Sequence, residues 1–431
     1  MKCLSALIFS FLSLLLVFFT LLNISDALSQ EEVNAVVKRL REERKNFPEG
    51  LKQKSVSVAD LECNLDQAII DEIHSYQDVV NDIIELFTTG EFAGKTYQYL
   101  TEMTDLFGPR ITGSQTLEDA IDWVVSTATS EGFTVYTEDV AAPFFERNTE
   151  TLKMISPRSA DMNLIGLGLT VPTPEEGITA DVLVVSSFDE LTTLADQAEG
   201  KIVVYDVPFT TYEETLQYRT GGAVEAAKVG GVAALIRSVT PFSINTPHTG
   251  TLFYSESVPK IPSACITIED ATLIHRLQDK GITVTLQLYL GAVNHENGTL
   301  TRNTILEIEG SKNPEEIVAY FVAHGIHKKN FQLIMESDFG TFKPNGIDFT
   351  GTDEATCMMK EIVSLTTLLG SLNSETDRYF WYHHTNGDRI EVYNSTHLDQ
   401  VAALWTAVSY VTADVSFRLP QPTIVDSLEH L

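Results

Sequence analysis

The sequence predicts an α/β fold, in which short buried strands alternate with helices. The middle of the chain carries short β-rich apolar runs, which turn signals such as Glu199-Gly200 separate. Helical segments lie between some of these runs, an alternation typical of α/β domains. A further apolar run, 333–340 (LIMESDFG), ends in acidic residues, as expected of a strand that stops at a functional sheet edge. The strands predicted in the middle region are 164–169, 180–186, 202–206, 232–237, 264–268 and 284–288.

Composition limits the classes of protein that the chain can belong to. A hydrophobic content of 43% with 21% charged residues is ordinary for a folded protein and indicates neither disorder nor a polytopic membrane protein. A length of 431 residues suggests two or three domains. The 29 basic and 60 acidic residues give a net charge of -31, which repels nucleic acids and anionic membrane surfaces. We therefore expect no nucleic-acid partner.

Residues 1–27 resemble a cleaved secretory signal peptide. Lys2 precedes an apolar run, and Ser25 and Ala27 are small residues spaced for signal peptidase. The alternative is an uncleaved anchor, because the run is nearly long enough to span a bilayer. Cleavage predicts a secreted or lysosomal protein without a membrane segment. The sequons at Asn297 and Asn394 suit a glycoprotein of that kind.

The cysteine spacing of the mature chain does not indicate a disulfide framework. Cys63, Cys265 and Cys357 remain after signal cleavage, and their wide spacing matches neither a disulfide scaffold nor a CxxC metal site. One of the three must stay unpaired if the other two form a disulfide. The sequence leaves the pairing open.

The region 28–96 is predicted to be a propeptide or an N-terminal helical arm. A charged helix at 31–45 fits either interpretation and is equally compatible with an ordinary surface helix. Amphipathic helix continues at 61–87. A loop at 106–114 then leads into a helix at 117–129, and a strand follows at 135–138.

The middle module carries no recognisable catalytic set. Its helices are predicted at 223–229 and 270–280, and its glycines do not form a GxGxxG dinucleotide motif. We assign no chemistry to His248, a loop histidine in the sequence PHTG. The module is therefore expected to act as a lid, a specificity surface or a binding domain. The rest of the chain predicts strand or helix entry at 304–309 and 316–322, a strand at 331–335, and helices at 354–368 and 401–417.

Two separated motifs suggest a metal site. Asp338 lies near the end of LIMESDFG, and 382–388 (YHHTNGD) supplies His383, His384 and Asp388. Carboxylates and histidines at strand ends are typical of a metal site. The alternative is that the acids are solvated and the histidines are surface residues. The sequence contains neither GxSxG nor HExxH, so a serine-hydrolase elbow and a zincin helix are both unsupported.

Four segments resemble the carboxypeptidase Q family of co-catalytic zinc peptidases, which is related to the secreted aminopeptidases. They are 108–114 (GPRITGS), 174–190, 217–229 and 335–341 (MESDFGT). The resemblance implies a doubly wound α/β peptidase domain at 97–162 and 293–431, which a protease-associated-like domain at 163–292 interrupts. It also implies a secreted or lysosomal homodimer that acts on small peptides.

The resemblance further implies two zinc ions that an aspartate bridges and that activate a water for peptide hydrolysis. Asp338 matches one terminal carboxylate ligand, and His384 matches the histidine of a late ligand motif, with His383 beside it and Asp388 closing it. In the family these two positions bind different zinc ions.

The remaining family ligands have no counterpart in this sequence. The His-x-Asp strand end, the bridging aspartate and the Glu-Glu pair with the general base are missing at the junction of Val318 and Ala319, and a second gap falls at 369–376. His324 and His327 are not expected to be ligands. Because catalytic zinc generally takes three protein ligands, we expect the chain to be inactive and to fold less well than the complete domain.

Three interpretations follow from this pattern. The chain is a shortened form of a zinc peptidase, a non-catalytic secreted binding or dimer-forming protein that uses the protease-associated-like domain, or a structural glycoprotein. We favour the first of these for the gene.

Overall fold

A computed structural model describes most of the chain from residue 62 onward. The described residues are 62–307, 317–318, 331–333, 335, 342–344, 347, 349–366 and 378–421. The predicted signal peptide, Asp338, Ala319 and the second predicted gap lie outside this part of the chain.

Four helices open the described region. A first amphipathic stretch forms two helices rather than one, because the chain turns at Ser75-Tyr76 between them. Asp66 caps the first helix, and Ser114 caps the fourth through its side-chain oxygen. The helices are α1 (Gln67–His74), α2 (Gln77–Thr88), α3 (Lys95–Phe107) and α4 (Gln115–Ser130).

Two C-terminal helices complete the helical core. They are α8 (Asp353–Ser364) and α10 (Ser395–Asp414). The latter begins six residues before the predicted start, since the Asn394 side chain accepts a hydrogen bond from the His397 amide. The apolar faces of α1, α2, α8 and α10 form one core. Its fully buried members include Ile73, Val80, Phe87 and Val408.

A disulfide ties the two ends of this helical core together. Cys63, just before α1, bonds to Cys357 in α8 across 294 residues of chain. Cys265 is buried and unpaired in the middle region. The structure therefore resolves the pairing that the sequence leaves open.

An eight-stranded mixed sheet dominates the middle of the chain. Its strands are β2 (Glu150–Ser156), β3 (Ala160–Met162), β4 (Leu164–Gly166), β5 (Ile178–Val185), β6 (Ile202–Tyr205), β7 (Ala233–Arg237), β8 (Ser263–Ile266) and β9 (Thr285–Leu290). Their order across the sheet is β3-β2-β9-β5-β6-β7-β8-β4, in which the four strands from β5 to β8 run parallel and the other pairs are antiparallel.

Helices cover both faces of this sheet. Side chains alternate along β5, so that Val184 joins a core with α7 (Ile268–Asp279), and Leu183 joins a core with α6 (Tyr212–Lys228). The short helix α5 (Phe188–Thr193) follows β5. α6 begins well before the predicted helix because the Thr211 hydroxyl caps it. The α/β fold class predicted from the sequence is confirmed.

A long arm consists of two strands, one before the large sheet in the chain and the other after it. β1 (Thr134–Glu146) pairs antiparallel with β10 (Val293–Glu307), so the strand predicted at 135–138 is much longer than expected. β11 (Ile317–Val318) and β12 (Phe331–Leu333) form a parallel pair. The large sheet begins at Glu150, ahead of the predicted boundary at 163, and the division into domains stays a prediction. Among the described helices, none has the length and apolarity needed to cross a membrane.

We predict that loss of the disulfide destabilises the helical core. Cys63→Ser with Cys357→Ser should lower the free energy of unfolding by about 2–5 kcal/mol, because the bond restricts a long loop in the unfolded chain. Urea denaturation of the oxidised proteins measures this difference. Reductant should lower the stability of the wild-type chain and leave the double variant unchanged; an equal response of both proteins would contradict the prediction.

Candidate functional site: a histidine turn held by the sheet

The predicted ligand His384 lies in a tight turn. The turn segment, residues 379–388, starts with the short helix α9 (Tyr379–Tyr382), and the Thr385 amide donates to the Tyr382 carbonyl at 3.0 Å. His384 is exposed and has a φ of +57°, in the left-handed region that residues other than glycine seldom adopt. Asp338, the other predicted ligand, lies outside the described residues.

The loop that follows β7 holds this turn through the turn's own carbonyl groups. This clamp loop, residues 238–249, leaves the carboxyl end of a parallel strand, the sheet edge where α/β proteins build sites. Two side chains and one backbone amide of the loop donate hydrogen bonds to carbonyl groups of the turn. The Thr240 hydroxyl donates to the Phe380 carbonyl at 2.5 Å, the His248 ring to the His383 carbonyl at 3.1 Å, and the Thr249 amide to the His384 carbonyl at 2.8 Å.

His248 is the central residue of the clamp loop. Its side chain is completely buried, and Arg219 Nη1 lies 2.9 Å from Nε2. Because a guanidinium only donates, Nε2 accepts, and Nδ1 carries the proton that reaches the His383 carbonyl. Burial lowers the pKa of His248 well below its usual value, and the charge of Arg219 and the nearby His384 lower it further. His248 is therefore neutral, and both of its nitrogens are engaged.

Aromatic rings surround His383. Its ring stacks on Tyr379 with centroids 4.7 Å apart and meets the edge of Tyr212 at 5.2 Å. Burial lowers the pKa of His383 to about 3, with smaller contributions from His384 and Arg219. The Nδ1 atom of His383 is buried and has no hydrogen-bond partner. The two adjacent histidines thus differ, since one is packed among rings and the other faces solvent.

Asp388 contacts a different set of residues. The Tyr393 hydroxyl donates to its carboxylate. Partial removal from water raises the pKa of Asp388, which the Tyr393 hydrogen bond and the nearby Arg110 guanidinium oppose. Arg110 belongs to the segment 108–114 that carries part of the family resemblance. Arg110 and Asp388 therefore interact electrostatically, and among the described residues no hydrogen bond joins Asp388 to a histidine.

The described residues do not fit a zinc centre. Within them, no three His, Cys, Asp or Glu side chains are placed to hold one metal ion. His248 lies near His384, with ring centroids 5.5 Å apart, but its nitrogens are occupied and the Arg219 cation adjoins it. A catalytic zinc generally takes three protein ligands. We therefore derive no metal-dependent step from this arrangement.

Sequence reasoning did not identify Arg219, Tyr212 or His248 as site residues. They come from the middle module, whereas the histidine turn comes from the C-terminal part of the chain. The only local signal is that PHTG follows a predicted strand end. Such a signal indicates a sheet-edge loop and does not identify what the loop contacts.

Comparisons with known proteins show that the chain is similar to carboxypeptidase Q proteins. No family model matches it. A carboxypeptidase Q from Xenopus laevis is 37% identical over 434 residues, covering 81% of this chain and 92% of the relative. The carboxypeptidase Q of Homo sapiens is 37% identical over 439 residues, covering 82% of this chain and 93% of the relative.

Solved structures share the fold. A peptidase M28 precursor from Shewanella amazonensis has a TM-score of 0.74 at 24% identity and covers 81% of this chain and 99% of its own. A zinc aminopeptidase from Bacillus subtilis has a TM-score of 0.52 at 16% identity, covering 73% of this chain and 93% of its own. At these identities the likeness concerns the fold alone.

The length of the sequence matches agrees with an internally shortened chain. The Xenopus match extends over 434 residues but uses only 81% of a 431-residue chain. Tens of residues of the relative therefore align with gaps in this chain.

We predict that neutral His248 makes the folded protein sensitive to acid. The unfolded chain binds a proton at His248 below about pH 6.5, whereas the buried ring does not, so this residue's contribution to stability is lost as pH falls. His248→Gln retains one donor and one acceptor and removes the titration. Between about pH 7 and about pH 5, the urea midpoint of the wild type should fall more than that of the variant. Equal falls in the two proteins would contradict the prediction.

Proposed function

Because this chain belongs to the carboxypeptidase Q family, we propose that it is a secreted or lysosomal protein that binds small peptides on a zinc-peptidase fold and does not hydrolyse them. The absence of most family ligands from the sequence carries this proposal. The match lengths support it, since the relatives contain tens of residues that this chain lacks.

The chemistry of peptide hydrolysis explains why the shortening matters. In a two-metal peptidase the ions lower the pKa of a shared water and polarise the scissile carbonyl. With His384 and Asp338 as the only matched ligands, each zinc would keep a single protein ligand. The general-base glutamate has no counterpart either. Neither water activation nor proton transfer then has a residue to perform it.

The retained part of the site supports peptide binding. The clamp loop fixes the backbone of the histidine turn, and Tyr212, Tyr379 and Phe380 supply an aromatic wall around His383. Aromatic walls with a few fixed polar groups are typical of small-ligand sites. We assign the described residues to binding and orientation.

Zinc content and hydrolysis test this proposal together. Purified chain, dialysed with zinc, should contain less than stoichiometric zinc by elemental analysis and should not release amino acids from unblocked dipeptides. A complete carboxypeptidase Q handled in the same way is the positive control. Stoichiometric zinc together with hydrolysis that a chelator abolishes would overturn the proposal.

A second candidate is an active peptidase encoded by the same gene as a longer chain. The uncovered positions of the relatives favour it. Sequencing transcripts across Val318-Ala319 and across 369–376 distinguishes the two. Transcripts that restore the Glu-Glu and His-x-Asp segments would identify this chain as a shortened form of an enzyme.

We also propose that the chain forms a homodimer, as its family resemblance implies. Sedimentation equilibrium of the purified glycoprotein measures the mass directly. A mass that stays at one chain across the accessible concentration range would exclude this part of the proposal.

We predict N-linked glycans at Asn297 and Asn394, whose side chains are both exposed. Asn394 also caps α10, through a bond from the His397 amide at 3.3 Å. Asn394→Ala, Asn394→Asp and Thr396→Ala should each remove one glycan, seen as a mobility shift that glycosidase treatment eliminates. Only Asn394→Ala should in addition lose about 1 kcal/mol of stability, because aspartate and the unchanged asparagine still cap the helix. Wild-type mobility in all three variants would contradict glycosylation at Asn394.

A further inference from the structure

Arg219 is a buried cation whose hydrogen-bond partners among the described residues are all neutral. Its side chain is 7% exposed, in α6. Nη1 donates to the Tyr212 hydroxyl at 2.9 Å, to His248 Nε2 at 2.9 Å and to the Thr249 carbonyl at 3.3 Å. Nε is buried without a hydrogen-bond partner. Among the described residues, no carboxylate forms an ion pair with it.

An uncompensated buried charge is unusual and costly. Buried charges are normally paired, because removing an ion from water without a partner is strongly unfavourable. Arg237, on the neighbouring strand β7, follows this rule, since it bonds to Asp206 at 2.7 Å. Among the described residues, Arg237 thus has an acidic partner and Arg219 has none. Within the described part of the chain no acidic side chain pairs with Arg219, so its positive charge is available to a bound anion.

Arg219 lies beside the histidine turn. Its guanidinium carbon is 5.8 Å from the centroid of the Tyr212 ring, and that ring contacts His383 at 5.2 Å. The guanidinium also packs directly against Gly250, where a Cβ atom would lie 2.4 Å from Nη1. Only glycine at this position lets the guanidinium occupy its place. The guanidinium therefore lies next to Tyr212, whose ring contacts the histidine turn.

We propose that Arg219 binds the carboxylate of a small organic acid, namely the free C-terminus of a short peptide, beside the histidine turn. A planar guanidinium matches a carboxylate, and an unsatisfied Nε supplies a donor. One cation compensates one negative charge, which suits a monoanion. Polyanions are disfavoured by the chain's net charge of -31. The peptide identity of the ligand rests on the proposed function; the carboxylate chemistry rests on Arg219 alone.

Binding of a matched ligand pair tests the proposal. Glycyl-phenylalanine and its C-terminal amide differ at the carboxylate, and calorimetry measures both affinities on the full glycosylated chain. The wild type should bind the acid about 10-fold to 100-fold more tightly than the amide, as expected for a charge-assisted hydrogen bond. Equal affinities, or no measurable binding of any carboxylate, would overturn the proposal without requiring a variant.

Variants locate the effect. Arg219→Gln should bring the acid-to-amide ratio to about one, and Arg219→Lys should retain part of it because the charge remains. Arg302→Gln, on the β1–β10 arm, is the matched control and should leave the ratio unchanged. A ratio that persists in a folded Arg219→Gln protein would place the carboxylate elsewhere and refute the assignment.

Further ligands separate this inference from the proposed function. If 3-phenylpropanoate raises the melting temperature of the wild type but not of Arg219→Gln, while neither dipeptide binds, the carboxylate site stands and the peptide function fails. If the chain hydrolyses the dipeptide, the acid preference should appear in KM. Stabilisation by inorganic phosphate without stabilisation by either carboxylate would overturn the assignment of ligand class.

Discussion

The position of the histidine turn depends on a chain of hydrogen bonds that runs from Arg219 through His248 to the His383 carbonyl. The guanidinium donates to one ring nitrogen, which requires the other nitrogen to carry the proton that the carbonyl accepts. Each group therefore fixes the role of the next. The Thr249 amide adds a parallel bond to the His384 carbonyl. Together these bonds hold a turn that contains a left-handed histidine, a conformation that needs support from its surroundings.

The sheet supplies this support because of its topology. β6 and β7 are parallel, so the segments that follow them emerge at one edge, and helix α6 brings Tyr212 and Arg219 to the same place. Buried residues such as Ser238 secure the clamp loop in turn, since its hydroxyl donates to the Ile266 carbonyl and accepts from the His248 amide. The helical core and the Cys63–Cys357 disulfide hold α10, which follows the turn segment. The turn thus lies between two separately stabilised parts of the molecule.

The strands of the middle region were predictable because they are buried on both faces. Ile202–Tyr205 and Ala233–Arg237 are almost uniformly apolar, and turn residues bound them. The starts of α6 and α10 were missed because polar caps at Thr211 and Asn394 begin each helix before its apolar pattern is visible. The length of β1 was missed because its pairing with β10 joins residues far apart in the chain.

The site was less predictable than the fold for a similar reason. His384 was identified through its family motif, whereas His248 and Arg219 act through contacts that no local pattern encodes. His248 reaches a carbonyl 135 residues away in sequence. In the sequence, a buried arginine in a helix resembles any other amphipathic side chain. Only the structure shows that, among the described residues, no acidic side chain lies beside it. Asp338 lies outside these residues and stays a prediction.

The chain belongs to the carboxypeptidase Q family, and its described residues hold the histidine turn in place. The central claim is that the clamp loop fixes the histidine turn, and amide hydrogen exchange at Thr249 tests it most directly. In the wild type this amide should be protected through the His384 carbonyl. In His248→Ala it should exchange about tenfold faster, with the Val204 amide of β6 unchanged. Equal protection of Thr249 in both proteins would contradict the account.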